Sequence, residues 1–262
     1  MPIISILSLA ALLVFGIALF VAVKEERERK TLEAQRKNKE DYTHVLIHEL
    51  RAPLTAIKDS AEFMLSDGSL ETNKEQQFLK IIETQSKMLL EQVGSLLDGA
   101  KIQAGKFILN KTASDISQTI KDRILIFQAQ AEKEQIHLVF EEKEKIPPFS
   151  FDPLRVAQVI NNLLSNSLKF TKSGGTITVK AVKDLDCIKI SVSDTGVGIP
   201  KEQQQNLFEK FSKIGEDKQS SQDSSGLGLY IVKGIAQAHG GTVGLESNPG
   251  DGTTIFFTLP IT

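Results

Sequence analysis

Residues 152–171 read DPLRVAQVINNLLSNSLKFT, a run that places polar side chains at helical spacing among apolar ones. On a helix, Asn162, Asn166 and Lys169 recur at steps of four and three and share one face. Ile160, Leu163, Leu164 and Leu168 occupy the other faces, so two amides and an amine form a polar strip on an apolar helix. An asparagine oxygen can complete the octahedron of a Mg2+ ion whose other ligands are phosphates and water. Lys169 would add a point charge for phosphate. Taken alone, the strip fits a solvated helix face equally well.

Working outward, Thr176–Val182 and Cys187–Val192 alternate as strands, and Asp194-Thr195-Gly196-Val197-Gly198-Ile199-Pro200 follows directly. A carboxylate at a strand end can accept from the exocyclic amine of adenine, where guanine carries an acceptor oxygen. Gly196 and Gly198 let the backbone approach a base. Next, Ser225-Gly226-Leu227-Gly228-Leu229 enters the helical run Leu229–His239, and glycines there leave free amides and a positive dipole end for phosphate. The dinucleotide-fold fingerprint is a poor fit, since its glycines should follow an early strand. Thr242–Glu246 and Thr254–Leu259 read as closing strands, Ile116–Ala131 as a helix and His137–Phe140 as a strand. The second half is therefore α+β, an α/β sandwich with helices on one face of a mixed sheet.

Upstream, Leu46, Leu50, Leu54, Ile57, Ala61 and Leu65 step by three or four, and Ser66-Asp67-Gly68-Ser69 breaks the pattern. A second stripe follows through Phe78, Ile81, Ile82, Met88, Leu89, Val93, Leu96 and Leu97, ending near Gly105. Two amphipathic helices joined by a short loop make an antiparallel hairpin. Alone it leaves apolar surface uncovered, and a four-helix bundle formed with a second copy would cover it. His48 lies roughly 155° from the centre of its helix's stripe and points to solvent. Glu49 is adjacent, and Pro53 removes the hydrogen bond to the Glu49 carbonyl and kinks the backbone. His44 and His48 lack a third ligand at metal spacing.

The chain has 262 residues, 24% charged and 40% apolar, with a formal net charge of −2 and one cysteine, Cys187. That composition excludes a polytopic membrane protein and a disordered chain, gives no hint of a nucleic-acid surface, and rules out an intramolecular disulfide framework. Every charged side chain falls at or after Lys24. Residues 2–23 are apolar and as a helix would span about 33 Å, enough to cross a bilayer. With Lys24, Arg27, Arg29 and Lys30 just after the span and no Lys or Arg before it, the body is expected on the cytoplasmic side with almost nothing outside. Residues 24–41, rich in Lys, Arg, Glu and Gln, read as a juxtamembrane linker helix. The expected order is thus a transmembrane helix (2–23), the linker (24–41), a dimerising hairpin (42–104) and the sandwich (107–262).

In this order, the segments resemble the sensor histidine kinases of two-component systems. His48-Glu49-Leu50-Arg51-Ala52-Pro53-Leu54 is similar to the family's phosphoacceptor box, Asn162–Lys169 to its N box, and Asp194–Ile199 to its first glycine box. Phe208-Glu209-Lys210-Phe211 is similar to the F box, and Gly226-Leu227-Gly228-Leu229 to the second glycine box. His239-Gly240-Gly241 and Gly252-Thr253 also fit. The resemblance implies a dimeric phosphoacceptor hairpin and an ATP-binding domain of the GHKL type shared with gyrase and Hsp90. It implies that His48 takes a phosphoryl group from ATP with Glu49 beside it, and that the group passes to an aspartate on the receiver domain of a response regulator. It further implies that Asp194 holds adenine, that Asn166 holds Mg2+ supported by Asn162 and Lys169, and that Gly196–Ser225 is an ATP lid whose Lys213 meets the γ-phosphate. Gly196, Gly198, Gly226, Leu227, Gly228 and Thr253 complete the expected nucleotide site.

Two positions depart from the family. Ala52, on the face of His48, replaces the Thr or Asn associated with dephosphorylating the partner, so weak phosphatase activity is expected. Ser167, where relatives usually carry Ala, reads as a mild change that the site tolerates. The rival readings are an ATP-binding pseudokinase scaffold and a different enzyme on the same ATP fold. The expected location is a bacterial-type cytoplasmic membrane, crossed once. Lys101–Asn110 is expected to be the flexible connection on which the ATP domain swings.

Overall fold

The computed structural model describes residues 24, 26, 29, 47, 50–66, 72–212 and 226–261. The proposed span 2–23, together with His44, His48, Glu49 and Lys213, lies outside them. Among the described residues no helix is long and apolar enough to cross a membrane.

The chain divides into two compact units, Met1–Thr55 and Ala56–Thr262. In the first, every described residue is helical, Pro53 among them. The second begins with α1 (residues 56–66) and α2 (Thr72–Gln103). Phe63 of α1 and Phe78 of α2 bring their rings to 4.7 Å between centroids, which closes the hairpin near its turn. Ile81, Met88, Val93 and Leu97 of α2 are 40%, 46%, 39% and 58% exposed, and Leu79 and Leu90 are exposed beside them, so the hairpin leaves much of its apolar stripe uncovered.

The remainder is the expected α+β sandwich. Its elements are β1 (Thr112–Ser114), α3 (Ile116–Lys133), β2 (His137–Glu142), β3 (Phe149–Phe151), α4 (Pro153–Phe170), β4 (Thr176–Asp184) and β5 (Cys187–Asp194). Then come α5 (Lys201–Gln204), α6 (Gly228–Ala238), β6 (Val243–Asn248) and β7 (Gly252–Pro260). Five strands form one sheet in the order β2-β4-β5-β7-β6, in which only β2 and β4 run parallel. The period-two patterning of the sequence has a direct structural counterpart. Ile177, Val179 and Ala181 of β4, Ile188, Ile190 and Val192 of β5, and Ile255, Phe257 and Leu259 of β7 are all buried. They meet Ile116 and Ile120 of α3, Ile160 and Leu164 of α4, and Ile231 and Ile235 of α6 in one core. Cys187, the first residue of β5, is half-buried.

The two-stranded ribbon β1–β3 has no counterpart in the sequence reading, which placed no element there. Three-residue strands are too short to establish a period, and this pairing depends on a fold that brings Thr112 opposite Phe151. The expected hinge is also firmly held. Residues 101–103 continue α2, the Arg155 guanidinium stacks 4.8 Å from the Phe107 ring centroid, and the Asn110 N–H donates to Asp152 at 2.8 Å.

Candidate functional site

α4 starts where Asp152 accepts from the N–H groups of Leu154 and Arg155, with Pro153 at the first helical position, where its missing N–H costs nothing. α3 is capped in the same way by Asp115. α6 is not: at Leu227 no side-chain cap is present among the described residues. A helix that starts at a glycine-rich entry can present its first N–H groups, with its dipole, to an anion.

The polar strip of α4 reaches that entry. The Asn162 side-chain amide donates to the Gly228 carbonyl at 3.4 Å, fixing the start of α6. Five residues further, the Ser167 hydroxyl donates to Asp194 Oδ2 at 3.2 Å. The two contacts lie about 7.5 Å apart along the helix axis, and half-buried Asn166 lies between them in sequence. Lys169 is exposed, with its ammonium 5.6 Å from the Phe170 ring centroid. Asn162 therefore acts on the backbone of the helix entry, while Asn166 is the residue placed between entry and carboxylate.

Asp194 is half-buried at the end of β5. Gly196 N–H donates to its Oδ1 at 3.0 Å. Burial pushes its acidity towards a higher pKa, and the donors from Gly196, Ser167 and Thr253 pull the other way. The glycines around it leave no room for side chains. A Cβ on Gly196 would lie 2.5 Å from the Phe170 carbonyl oxygen, and one on Gly198 (φ +70°) would lie 1.9 Å from that of Asn248. A Cβ on Gly252 (φ +87°) would sit 1.9 Å from the Asp194 carbonyl oxygen.

Ser247, which the sequence reading passed over, pins this loop to the β6–β7 turn. Its hydroxyl accepts from Ile199 N–H at 2.9 Å and donates to the Gly252 carbonyl at 2.8 Å. Gln204 adds donations to the carbonyls of Ile199 at 2.7 Å and Ser247 at 3.0 Å. No local pattern marks Ser247, because its partners lie on another part of the chain. Ser167 did carry a signal, its departure from the family's usual Ala beside Asn166.

The F box and second glycine box meet at a pinch. Phe211 N–H donates to the Gly226 carbonyl at 2.9 Å, and Phe211 itself adopts the left-handed φ of +64°. Gly226 also has positive φ, and a Cβ there would lie 2.7 Å from the Phe211 Cα.

The arrangement suits a nucleotide: a carboxylate acceptor, a backbone wall without side chains, and an uncapped helix N-terminus joined by one helix. Among the described residues no group of three or more His, Cys, Asp or Glu side chains could hold a metal. A divalent ion here would draw its protein contact from an amide such as Asn166 and most ligands from phosphates and water, which suits Mg2+.

Two family models match the chain. Residues 38–105 match the His Kinase A (phospho-acceptor) domain, and residues 151–262 match the histidine kinase-, DNA gyrase B-, and HSP90-like ATPase. The non-motile and phage-resistance protein of Caulobacter vibrioides is 33% identical over 92% of this chain and 29% of its own length. The circadian input-output histidine kinase CikA of Synechococcus elongatus is 32% identical over 85% of this chain and 30% of its own. The chain thus spans about a third of these relatives. Full-length ShkA in complex with AMPPNP aligns at a TM-score of 0.65 and 25% identity, over 85% of this chain and 46% of that one. The catalytic domain of histidine kinase ThkA aligns at 0.52 and 26%, over 59% of this chain and 99% of that one. With a phospho-acceptor domain before the ATPase domain, and with the nucleotide-site geometry in place, the chain belongs to the histidine kinases.

Proposed function

We propose that the chain is an ATP-dependent protein-histidine kinase that phosphorylates itself on His48 and passes the phosphoryl group to an aspartate of a response regulator. The observation that carries the ATP half is α4, which contacts the glycine-rich entry of α6 through Asn162 and the Asp194 carboxylate through Ser167. That the related ShkA was solved with AMPPNP supports the same reading.

In this reading, Asp194 accepts from the adenine amine and the first amides of α6 receive phosphate oxygens. Asn166 would hold Mg2+, which when bound neutralises phosphate charge and so favours attack. A neutral imidazole carries a free lone pair on one ring nitrogen and is a competent nucleophile. Nε2 bonds to the γ-phosphorus as the bond to the bridging oxygen breaks, and ADP leaves with that electron pair. Glu49 accepts the N–H of the other ring nitrogen, which fixes the tautomer and balances the charge that develops.

The uncovered leucines of α2 support assembly as a homodimer with a four-helix core. The apolar residues 2–23 and the basic residues after them support a single-pass anchor in a bacterial-type cytoplasmic membrane. Ala52, without a hydroxyl or amide to orient water, supports weak phosphatase activity. The deciding experiment incubates the full chain with γ-labelled ATP and Mg2+. Acid-labile label that disappears in His48→Gln is expected; acid-stable label, or label that survives the substitution, refutes the reading.

A further inference from the structure

Building on the assignment of Asp194 as the adenine acceptor, we propose that Ser167 is a positioning residue that sets selectivity for a 6-amino purine. Its hydroxyl is 3.2 Å from Asp194 Oδ2, and its side chain is buried in the last turn of α4. That turn is locked, because the Ser167 carbonyl accepts from both the N–H and the hydroxyl of Thr171, the latter at 2.6 Å. The serine therefore approaches the carboxylate from a fixed backbone.

Selectivity follows from lone-pair accounting. A carboxylate has about four acceptor sites. In Asp194 these face Gly196 N–H on Oδ1 and the Ser167 hydroxyl on Oδ2. Both protein groups donate, so the capacity left for a base can only accept. A purine with an amine at position 6 donates into it, whereas one with a carbonyl at position 6 sets oxygen against oxygen. Gly196 holds the carboxylate through its backbone N–H, which no side-chain change removes. Among the described residues, Ser167 is the side chain that both fixes the orientation of Oδ2 and favours an acceptor there. Without it, Oδ2 is free to turn or to carry a proton towards a carbonyl oxygen.

Inosine triphosphate is the direct probe, since its base differs from adenine by a carbonyl in place of the 6-amine. ATP and inosine triphosphate are compared on the full chain with Mg2+, by calorimetric binding and by autophosphorylation, in the native protein and in Ser167→Ala. The substitution removes one oxygen from a helix and leaves the packing volume almost unchanged. Loss of one hydrogen bond to a charged acceptor should cut the preference for ATP over inosine triphosphate roughly tenfold. This should come through a higher KM for ATP, with kcat at saturation unchanged. Ser167→Cys, of similar size but a weak donor, should fall between the two. An unchanged ratio, an equal loss for both nucleotides, or a fall in kcat alone would overturn the proposal. Failure of the native protein to bind ATP would instead defeat the nucleotide-site reading on which it rests.

Discussion

The Asp98 carboxylate of α2 lies 2.6 Å from Nη1 of Arg155 on α4, across a contact that joins the hairpin to the ATP-binding sandwich. Gln158 donates to the same oxygen at 3.0 Å, and Asp98 is only 6% exposed. One turn on, Ile102 packs where a Cβ on Gly234 of α6 would stand, and Lys210 donates to Gln103 at 2.6 Å. The last turn of α2 is thus a docking element as well as a connection.

Replacing Asp98 with Ala should loosen this docking. The Arg155 side chain is 29% exposed and regains water, so the cost should be about 1–2 kcal/mol, below that of a fully buried pair. Urea unfolding measures the loss, and hydrogen exchange should rise in residues 104–110. Unchanged exchange there would show that the ion pair does not hold the connection.

His239 makes the second prediction. Its Nε2 accepts from Asp152 N–H at 3.0 Å, and Nδ1 donates to the Ile235 carbonyl at 2.9 Å, which requires a neutral ring. Burial pushes its pKa below the ordinary value near 6.5, with Lys111 acting in the same direction against the Ile235 hydrogen bond and Asp152. The unfolded chain therefore takes up the proton first. Stability from this group is complete above about pH 6.5 and is lost as pH falls towards the depressed folded value. Unfolding curves between pH 7.5 and 5 should be steeper for the native protein than for His239→Gln; parallel curves would contradict the assignment.

Asn166 is tested through the metal and not through turnover. Native ADP affinity should fall on the order of tenfold when EDTA replaces Mg2+. In Asn166→Ala the two conditions should give nearly the same, weak affinity. A variant that keeps the full Mg2+ dependence would move the metal to other ligands.

Ala52 is exposed, on the segment that carries His48. With ADP present, phosphate release from a phosphorylated cognate regulator should be slow for the native protein and faster for Ala52→Thr. Rapid release by the native protein would show that a hydroxyl or amide at this position is not needed.

Much of the fold was legible because its signals are local. The alternation in β4, β5 and β7 and the apolar faces of α3, α4 and α6 lie within single elements. Asp152 read as the start of a helix, yet its backbone also contacts a histidine 87 residues away and its side chain receives the Asn110 amide. Ser167 meets Asp194 across 27 positions, and Asp98 meets Arg155 across 57. Periodicity holds no record of such pairs, since each exists only after the sheet and helices have packed. For that reason Asp194 and Asn166 were readable as residue types in motifs and Ser167 as a departure from one, while its partner, and the roles of Ser247 and Asp98, needed the fold.

The hydrogen bond between Phe211 and Gly226 has a consequence for chain length. The two residues are in direct contact, so the ends of the intervening sequence are already joined in terms of loop-closure entropy. Doubling the length of a flexible closed interval costs only about 0.6 kcal/mol. Sequence added between Phe211 and Gly226 is therefore expected to cost the domain little stability so long as their hydrogen bond is kept.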